Sequence, residues 1–184
     1  MNAQLKQLKK ADLQLGKEMN KQIEIIYPAC AIVLWRDYGW RHLRITRRFE
    51  TSNQVWQECA NFGEEKSMLQ MLEDETGIDL QLNGCDDWHK LAYMDGRAWD
   101  GKPVTLPQAI YMRQMQKKWL APLLLACMCL TLYRDEHWGA VRIGRFIALV
   151  DALRQEVGEN PEKMSELMYE VTGQKSGEMW GQVK

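Results

Sequence analysis

The chain has no apolar run long enough for a bilayer. The longest, from Leu120 to Leu132, is interrupted by Pro122 and falls short of the roughly 20 residues a spanning helix needs. The first ten residues are polar and lysine-rich, with no apolar signal core. Neither sign of charge dominates: 24 Lys and Arg stand against 25 Asp and Glu, for a net charge of −1. A general nucleic-acid coat protein would be far more basic. Cysteines are few and unpatterned. None of Cys30, Cys59, Cys85, Cys127 and Cys129 stands in a Cys-x-x-Cys pair, and an odd count does not suit a disulfide framework. Four of them fall inside apolar helical patterns, where a thiol packs as a small hydrophobe. These absences predict a protein of the reducing cytoplasm. Its 46% apolar and 27% charged residues have an ordinary globular balance, at a length of one domain or two small ones.

Catalytic signals are equally scarce. His42, His89 and His137 form no His-x-x-x-His or His-x-Glu arrangement, and neither a phosphate loop nor a Gly-x-Ser-x-Gly elbow is present. Gly139 and Gly144-Arg145 have phosphate-loop spacing but lack the lysine and hydroxyl residue, and they fall within a helical pattern. Asp86-Asp87-Trp88-His89 places two acids and a histidine together, a grouping that more often caps a helix than holds a metal. The expectation is a protein without enzymatic activity, cofactor or metal.

What the chain does have is self-similarity. Residues 30–59 align with 128–157 at a constant offset of 98. Leu34, Arg36, Asp37, Trp40, Arg44, Ile45, Arg47, Gln57 and Glu58 are matched by Leu132, Arg134, Asp135, Trp138, Arg142, Ile143, Arg145, Gln155 and Glu156. Trp35/Tyr133, Leu43/Val141, Phe49/Ile147 and Val55/Leu153 are conservative pairs. After a two-residue slip, Met68, Leu72, Thr76 and Gly77 fall on Met164, Met168, Thr172 and Gly173. Such a match predicts two copies of one helical unit. The expected fold is an all-α bundle of six or seven helices, with one unit over 1–77, an aromatic-rich linker over 78–104 packed on the helices, and a second unit over 105–184.

Each unit reads as three helices. In the second, Thr105-Leu106-Pro107-Gln108 has the spacing of a capping box, and the helix it opens runs to about Tyr133 with a kink near Pro122. The next starts near Trp138, with Ile143, Phe146, Ile147, Val150, Leu153 and Val157 at helical spacing. Asn160-Pro161 opens the last, and Gly173 ends it. The first unit has counterparts over about Lys17–Trp35, from Trp40 with a stripe of Ile45, Phe49, Ser52, Trp56 and Cys59, and from Gly63-Glu64 to Gly77. A lysine-rich helix over Ala3–Leu15 precedes it, either as a separate helix or continuous with it. The linker carries Asp95-Gly96 and Asp100-Gly101 turn signals and Trp88, Tyr93 and Trp99.

Two charged faces are candidate binding sites. At about 100° per residue, Trp40, Arg44, Arg47 and Glu58 share a face opposite the apolar stripe. The recurring tryptophan–arginine pattern either knits helices together by stacking and forked ion pairs or presents a basic face to a partner. Arg36, Arg41, Arg44, Arg47 and Arg48 are the candidate contacts with nucleic acid or another partner, because Arg41 and Arg48 have no equivalent in the second unit. The second face is acidic. Between Glu58 and Asp87, nine carboxylates face one lysine, and Glu64, Glu65, Glu73, Asp74, Glu75, Asp79, Asp86 and Asp87 are the candidate partner-binding residues. Such a segment either solvates a helix or docks on a basic groove.

The stretches Leu34-Trp35-Arg36-Asp37-Tyr38-Gly39-Trp40 with Leu43-Arg44-Ile45, and Leu132-Tyr133-Arg134-Asp135 with Trp138 and Val141-Arg142-Ile143, resemble a motif of small helical phage and prophage proteins of Gram-positive bacteria. In size, charge, helicity and lack of an active site, the whole chain is similar to anti-CRISPR inhibitors of the type II RNA-guided nuclease. The resemblance implies a stoichiometric inhibitor in the bacterial host cytoplasm. It would bind the type II CRISPR effector nuclease with its guide RNA and block target-DNA binding or cleavage, with the acidic segment entering one of the nuclease's positive channels. It carries over no functional residue, because these inhibitors share no motif. The rival expectation is a phage DNA-binding or regulatory protein using the basic helix over 36–48. A third is a structural protein assembling through its tryptophan face, the duplicated chain being either internally paired or a homodimer.

Overall fold

The computed structural model describes residues 3–61, 68–80 and 105–175, and every regular element among them is helical. α1 spans Ala3–Arg36, α2 His42–Asn61, α3 Met68–Thr76, α4 Leu106–Glu136, α5 Ala140–Val157 and α6 Pro161–Thr172. The expected helix start at Gly63-Glu64, Cys85, His89, the linker aromatics and the candidate carboxylates Glu64, Glu65, Asp86 and Asp87 lie outside the described residues.

Local chemistry sets the helix ends. Gln108 Oε1 accepts from the Thr105 N–H at 3.0 Å and from its hydroxyl at 2.8 Å, tying down the start of α4. Asn160 Oδ1 accepts from the N–H groups of Glu162 and Lys163 at 3.0 and 3.2 Å, and Pro161 takes the first position of α6. α3 and α6 stop in the same way. Gly77 and Gly173 take φ of 72° and 71°, and each N–H reaches back four residues, to Glu73 O at 2.7 Å and Tyr169 O at 2.8 Å. The Thr76 and Thr172 hydroxyls donate to Leu72 O and Met168 O at 2.6 and 2.7 Å. The lysine-rich segment is continuous with the helix after it, so α1 runs unbroken through Gly16 and Pro28. α4 likewise continues through Pro122.

α1 and α4 lie side by side in parallel. Arg113 Nε contacts Asp12 Oδ1 at 2.7 Å, Lys117 Nζ donates to Gln14 Oε1 at 3.2 Å, and beyond their C-terminal ends the Trp40 and Trp138 rings meet with centroids 5.6 Å apart. Residues 25–34 of α1 and 124–132 of α4 are all buried, so each helix is apolar around its whole circumference there. The other helices supply the cover crosswise. α5 and α6 pack on α1, whereas α2 and α3 pack on α4. Exchanging the two halves reproduces this pattern of contacts. One contiguous core results, joining Ile25, Ile26, Leu34, Phe49 and Leu72 to Leu124, Met128, Phe146, Leu153 and Met168. Ile78 and Leu80, the start of the linker, are half-buried against it.

Candidate functional site

The turns that lead into α2 and α5 are built alike. Gly39 and His137, 98 residues apart, are both left-handed, with φ of 68° and 53°. The loss of glycine in the second turn therefore leaves the geometry intact, although a side chain is disfavoured there. The Trp40 N–H then donates to Leu34 O at 3.0 Å and the Trp138 N–H to Leu132 O at 3.1 Å, each reaching back six residues to a carbonyl of the preceding helix. Both indoles drop into the core, at 3% and 2% exposure. This corrects the wheel that placed them on a polar face with the arginines: they precede the first helical turn, where helical phase does not apply. The arginines instead form lids over them, with Arg44 Cζ 4.1 Å from the Trp40 ring centroid and Arg142 Cζ 4.1 Å from that of Trp138.

The two sides then diverge. On one, Arg44 pairs with Glu136 through a single Nη2–Oε2 contact, while Arg48 pairs with Asp135 and reaches Glu136 Oε1 from Nε at 2.7 Å. Burial alone would raise the Glu136 carboxyl, but the Arg44 hydrogen bond and the charges of Arg48 and Arg44 outweigh it and hold the group below the ordinary range. On the other side Tyr38 stands where Glu136 would be. Arg142 lies 5.2 Å from its ring centroid, and Phe146 packs against it with centroids 6.4 Å apart. Burial raises the Tyr38 phenol despite the nearby Arg145 and Arg142.

The candidate basic residues therefore separate. Arg44 and Arg48 are consumed by carboxylates of α4, and Arg36 contacts Asp37 at 3.3 Å. Arg41 lies 4.7 Å from the Trp35 ring centroid and donates to Trp40 O at 3.2 Å. Arg47 is exposed and has no carboxylate partner among the described residues, and Arg145 is its counterpart on α5. The acidic candidates separate as well. Arg134 Nε donates to Glu75 at 3.0 Å, and Gln70 Nε2 donates to Glu73 at 3.4 Å and to Asp74 at 3.1 Å. Asp74 and Asp79 are exposed, and Glu73 and Glu75 are half-buried.

Sequence reasoning overlooked two residues of this surface. Leu43 is 83% exposed and Val141 91%, at equivalent positions in the first turns of α2 and α5. Each stands one turn before an exposed arginine, Arg47 or Arg145. Their signal was present: both are aliphatic, yet two residues, or about 200° of helix, from the buried Ile45 and Ile143. Beside Val141, Tyr38, Gly139, Arg142 and Arg145 line an open depression of about 540 Å³.

No family model matches the chain, and neither does any curated protein or solved structure. Its chemistry must therefore be read from its own side chains. Among the described residues no group of His, Cys, Asp and Glu is placed to hold a metal ion, and no helix is long and apolar enough to cross a membrane. Cys30, Cys127 and Cys129 are buried thiols. Burial pushes the Cys30 and Cys129 thiols well up, the reverse of what a nucleophile requires.

Proposed function

We propose that this chain is a binding protein, made of two copies of one helical unit, that engages a macromolecular partner through the paired starts of α2 and α5. The observation that carries this reading is the recurrence of a fully exposed aliphatic, Leu43 or Val141, beside an exposed arginine, Arg47 or Arg145. A single exposed leucine is ordinary. The same feature in both halves, next to arginines stacked on tryptophan, has the composition of an interface anchor with a charged rim. Both helix starts add partial positive charge. The proposed duplication is supported by the matching turns, caps and crosswise packing.

The narrower proposal is a stoichiometric inhibitor of a guide-loaded type II CRISPR nuclease. It is motivated by the acidic composition of the segment from Glu58 to Asp87, in which nine carboxylates face one lysine. The rival, a DNA-binding regulator, is left with fewer arginines, because Arg44 and Arg48 are already paired.

The experiment is a Leu43→Ser, Val141→Ser double variant, which removes no core packing. Binding to the guide-loaded nuclease is measured beside gel shifts with duplex DNA at low and moderate salt. Loss of nuclease binding by tenfold or more, about 1.4 kcal/mol, at unchanged helicity supports the face. Unchanged affinity for every partner that the wild type binds refutes it. Salt-sensitive DNA binding without any nuclease transfers the function to the rival reading.

A further inference from the structure

A second feature lies away from this face, between α1, α4 and α5. A partly enclosed cavity of about 340 Å³ is lined by Gln22, Lys118, Pro122, Leu125, Asp151 and Arg154 among others. That volume is near the lower end for small-molecule sites, which run from about 300 to 1,000 Å³. We infer that it is a binding site for a small zwitterion of amino-acid size, whose ammonium meets Gln22 and Asp151 and whose carboxylate meets Arg154 and Lys118.

Three polar groups motivate the assignment. Gln22 is only 6% exposed, and its Nε2 donates to Glu18 Oε1 at 2.9 Å. An ionised carboxylate only accepts, so this bond fixes which way the amide faces. Gln22 Oε1 is then left buried, with no partner among the described residues. A buried acceptor in that condition is a departure that calls for a donor. Arg154 is the second group. Its Nη1 donates to Asp151 Oδ1 at 3.2 Å and its Nη2 to Glu159 Oε1 at 3.0 Å, while Nε is buried without a partner among the described residues. The third is a backbone carbonyl. Pro122 has no N–H, so the Lys118 carbonyl four residues earlier loses its helical donor, and both residues line the cavity. The cavity lining thus brings together the unmet Gln22 amide oxygen and the Asp151 carboxylate on the one hand, and the Arg154 guanidinium and the Lys118 ammonium on the other.

The first half of the chain shows why there is space. Ninety-eight residues before Leu125 and Asp151 stand Tyr27 and Asn53, and the Tyr27 hydroxyl donates to Asn53 Oδ1 at 3.1 Å. There a phenol bridges the two helices. In the second half, leucine replaces the phenol and Arg154 stands at the position of Trp56. The cavity occupies the place where aromatic side chains close the equivalent junction.

The test is calorimetric titration and thermal shift of the full chain with L-glutamate, L-glutamine, 2-oxoglutarate and 1,4-diaminobutane, each to about 10 mM, enough to detect millimolar affinity. Saturable binding of at least one of the two amino acids is expected. 2-Oxoglutarate, which lacks the ammonium, and 1,4-diaminobutane, which lacks the carboxylate, should bind at least tenfold more weakly. Gln22→Leu removes the unmet acceptor. It should raise the melting temperature of the unliganded protein and abolish the amino-acid response. Leu125→Tyr, which fills the cavity as Tyr27 does in the other half, should abolish the response in a folded protein. Absence of saturation by either amino acid, an equal response to 2-oxoglutarate, or full binding by Gln22→Leu overturns the assignment. None of these results bears on the α2/α5 face, which the Leu43 and Val141 variant tests separately.

Discussion

Replacing Glu136 with glutamine keeps the shape of the side chain but removes the charge that Arg44 and Arg48 share. The Glu136 side chain is 10% exposed and that of Arg48 15%, so this pair sits largely out of water, whereas Arg44 is half-exposed. Breaking a fully buried pair costs about 3–5 kcal/mol, and an exposed one contributes about 0–1 kcal/mol. The cluster lies between these limits, which gives a loss of about 2 kcal/mol for Glu136→Gln. A chain of this size loses about 2–4 °C of melting temperature per kcal/mol, so the expected drop is about 4–8 °C. Urea titrations followed by circular dichroism at neutral pH measure the loss. Its pH dependence has a defined sign. The folded protein holds the Glu136 carboxyl below the ordinary range, so the unfolded chain takes up its proton first. The stability is present in full above the ordinary carboxylate pKa and is lost as the pH falls through the depressed folded value. The gap between wild type and Glu136→Gln should therefore close in acid. A double-mutant cycle with Arg48→Met should show coupling of about 1 kcal/mol or more. A Glu136→Gln protein within about 0.5 kcal/mol of wild type, or a gap that widens in acid, would refute the reasoning.

Three further outcomes are expected. Trp138→Ala removes an indole 2% exposed that touches Trp40, Tyr38 and Phe146, and urea unfolding should show a loss of about 3–5 kcal/mol. At the matched left-handed turns, Gly39→Ala should destabilise by about 1 kcal/mol, whereas His137→Gly should not destabilise at all; melting curves of the two variants decide. Cys30, Cys127 and Cys129 should resist a thiol reagent in the native state and react together on unfolding in urea. Modification of any of them without unfolding would show that the α1–α4 centre opens locally.

The helix boundaries set by nearby chemistry were legible. Asn160-Pro161, Thr105 with Gln108, and the stops at Gly77 and Gly173 each act over four residues or fewer, so the local sequence contains their cause. The stripe Ile143, Phe146, Val150 and Leu153 was legible for the same reason, and all four are buried. What periodicity cannot specify is the partner of a stripe. Nothing in the 3.6-residue rhythm says that α2 packs on α4 and α5 on α1. The choice between a knitting role and a binding role for the basic face stayed open on this account. Arg48 looked like surplus charge until folding brought Asp135 and Glu136, 87 and 88 residues away, against it. The cavity at Gln22 was invisible for a similar reason, because its walls come from three helices and from Leu80 and Glu159 in the connections between helices.

The crosswise packing of α1 and α4 has a consequence for synthesis on the ribosome. The buried stretch 25–34 finds most of its cover in α4, α5 and α6, the last of which ends at Thr172. At translation speeds of about 5–20 residues per second, that greasy segment waits several seconds or more for its covering helices. A nascent chain that stops before α4 therefore lacks the helices that supply most of the cover over 25–34 and leaves that apolar surface in water.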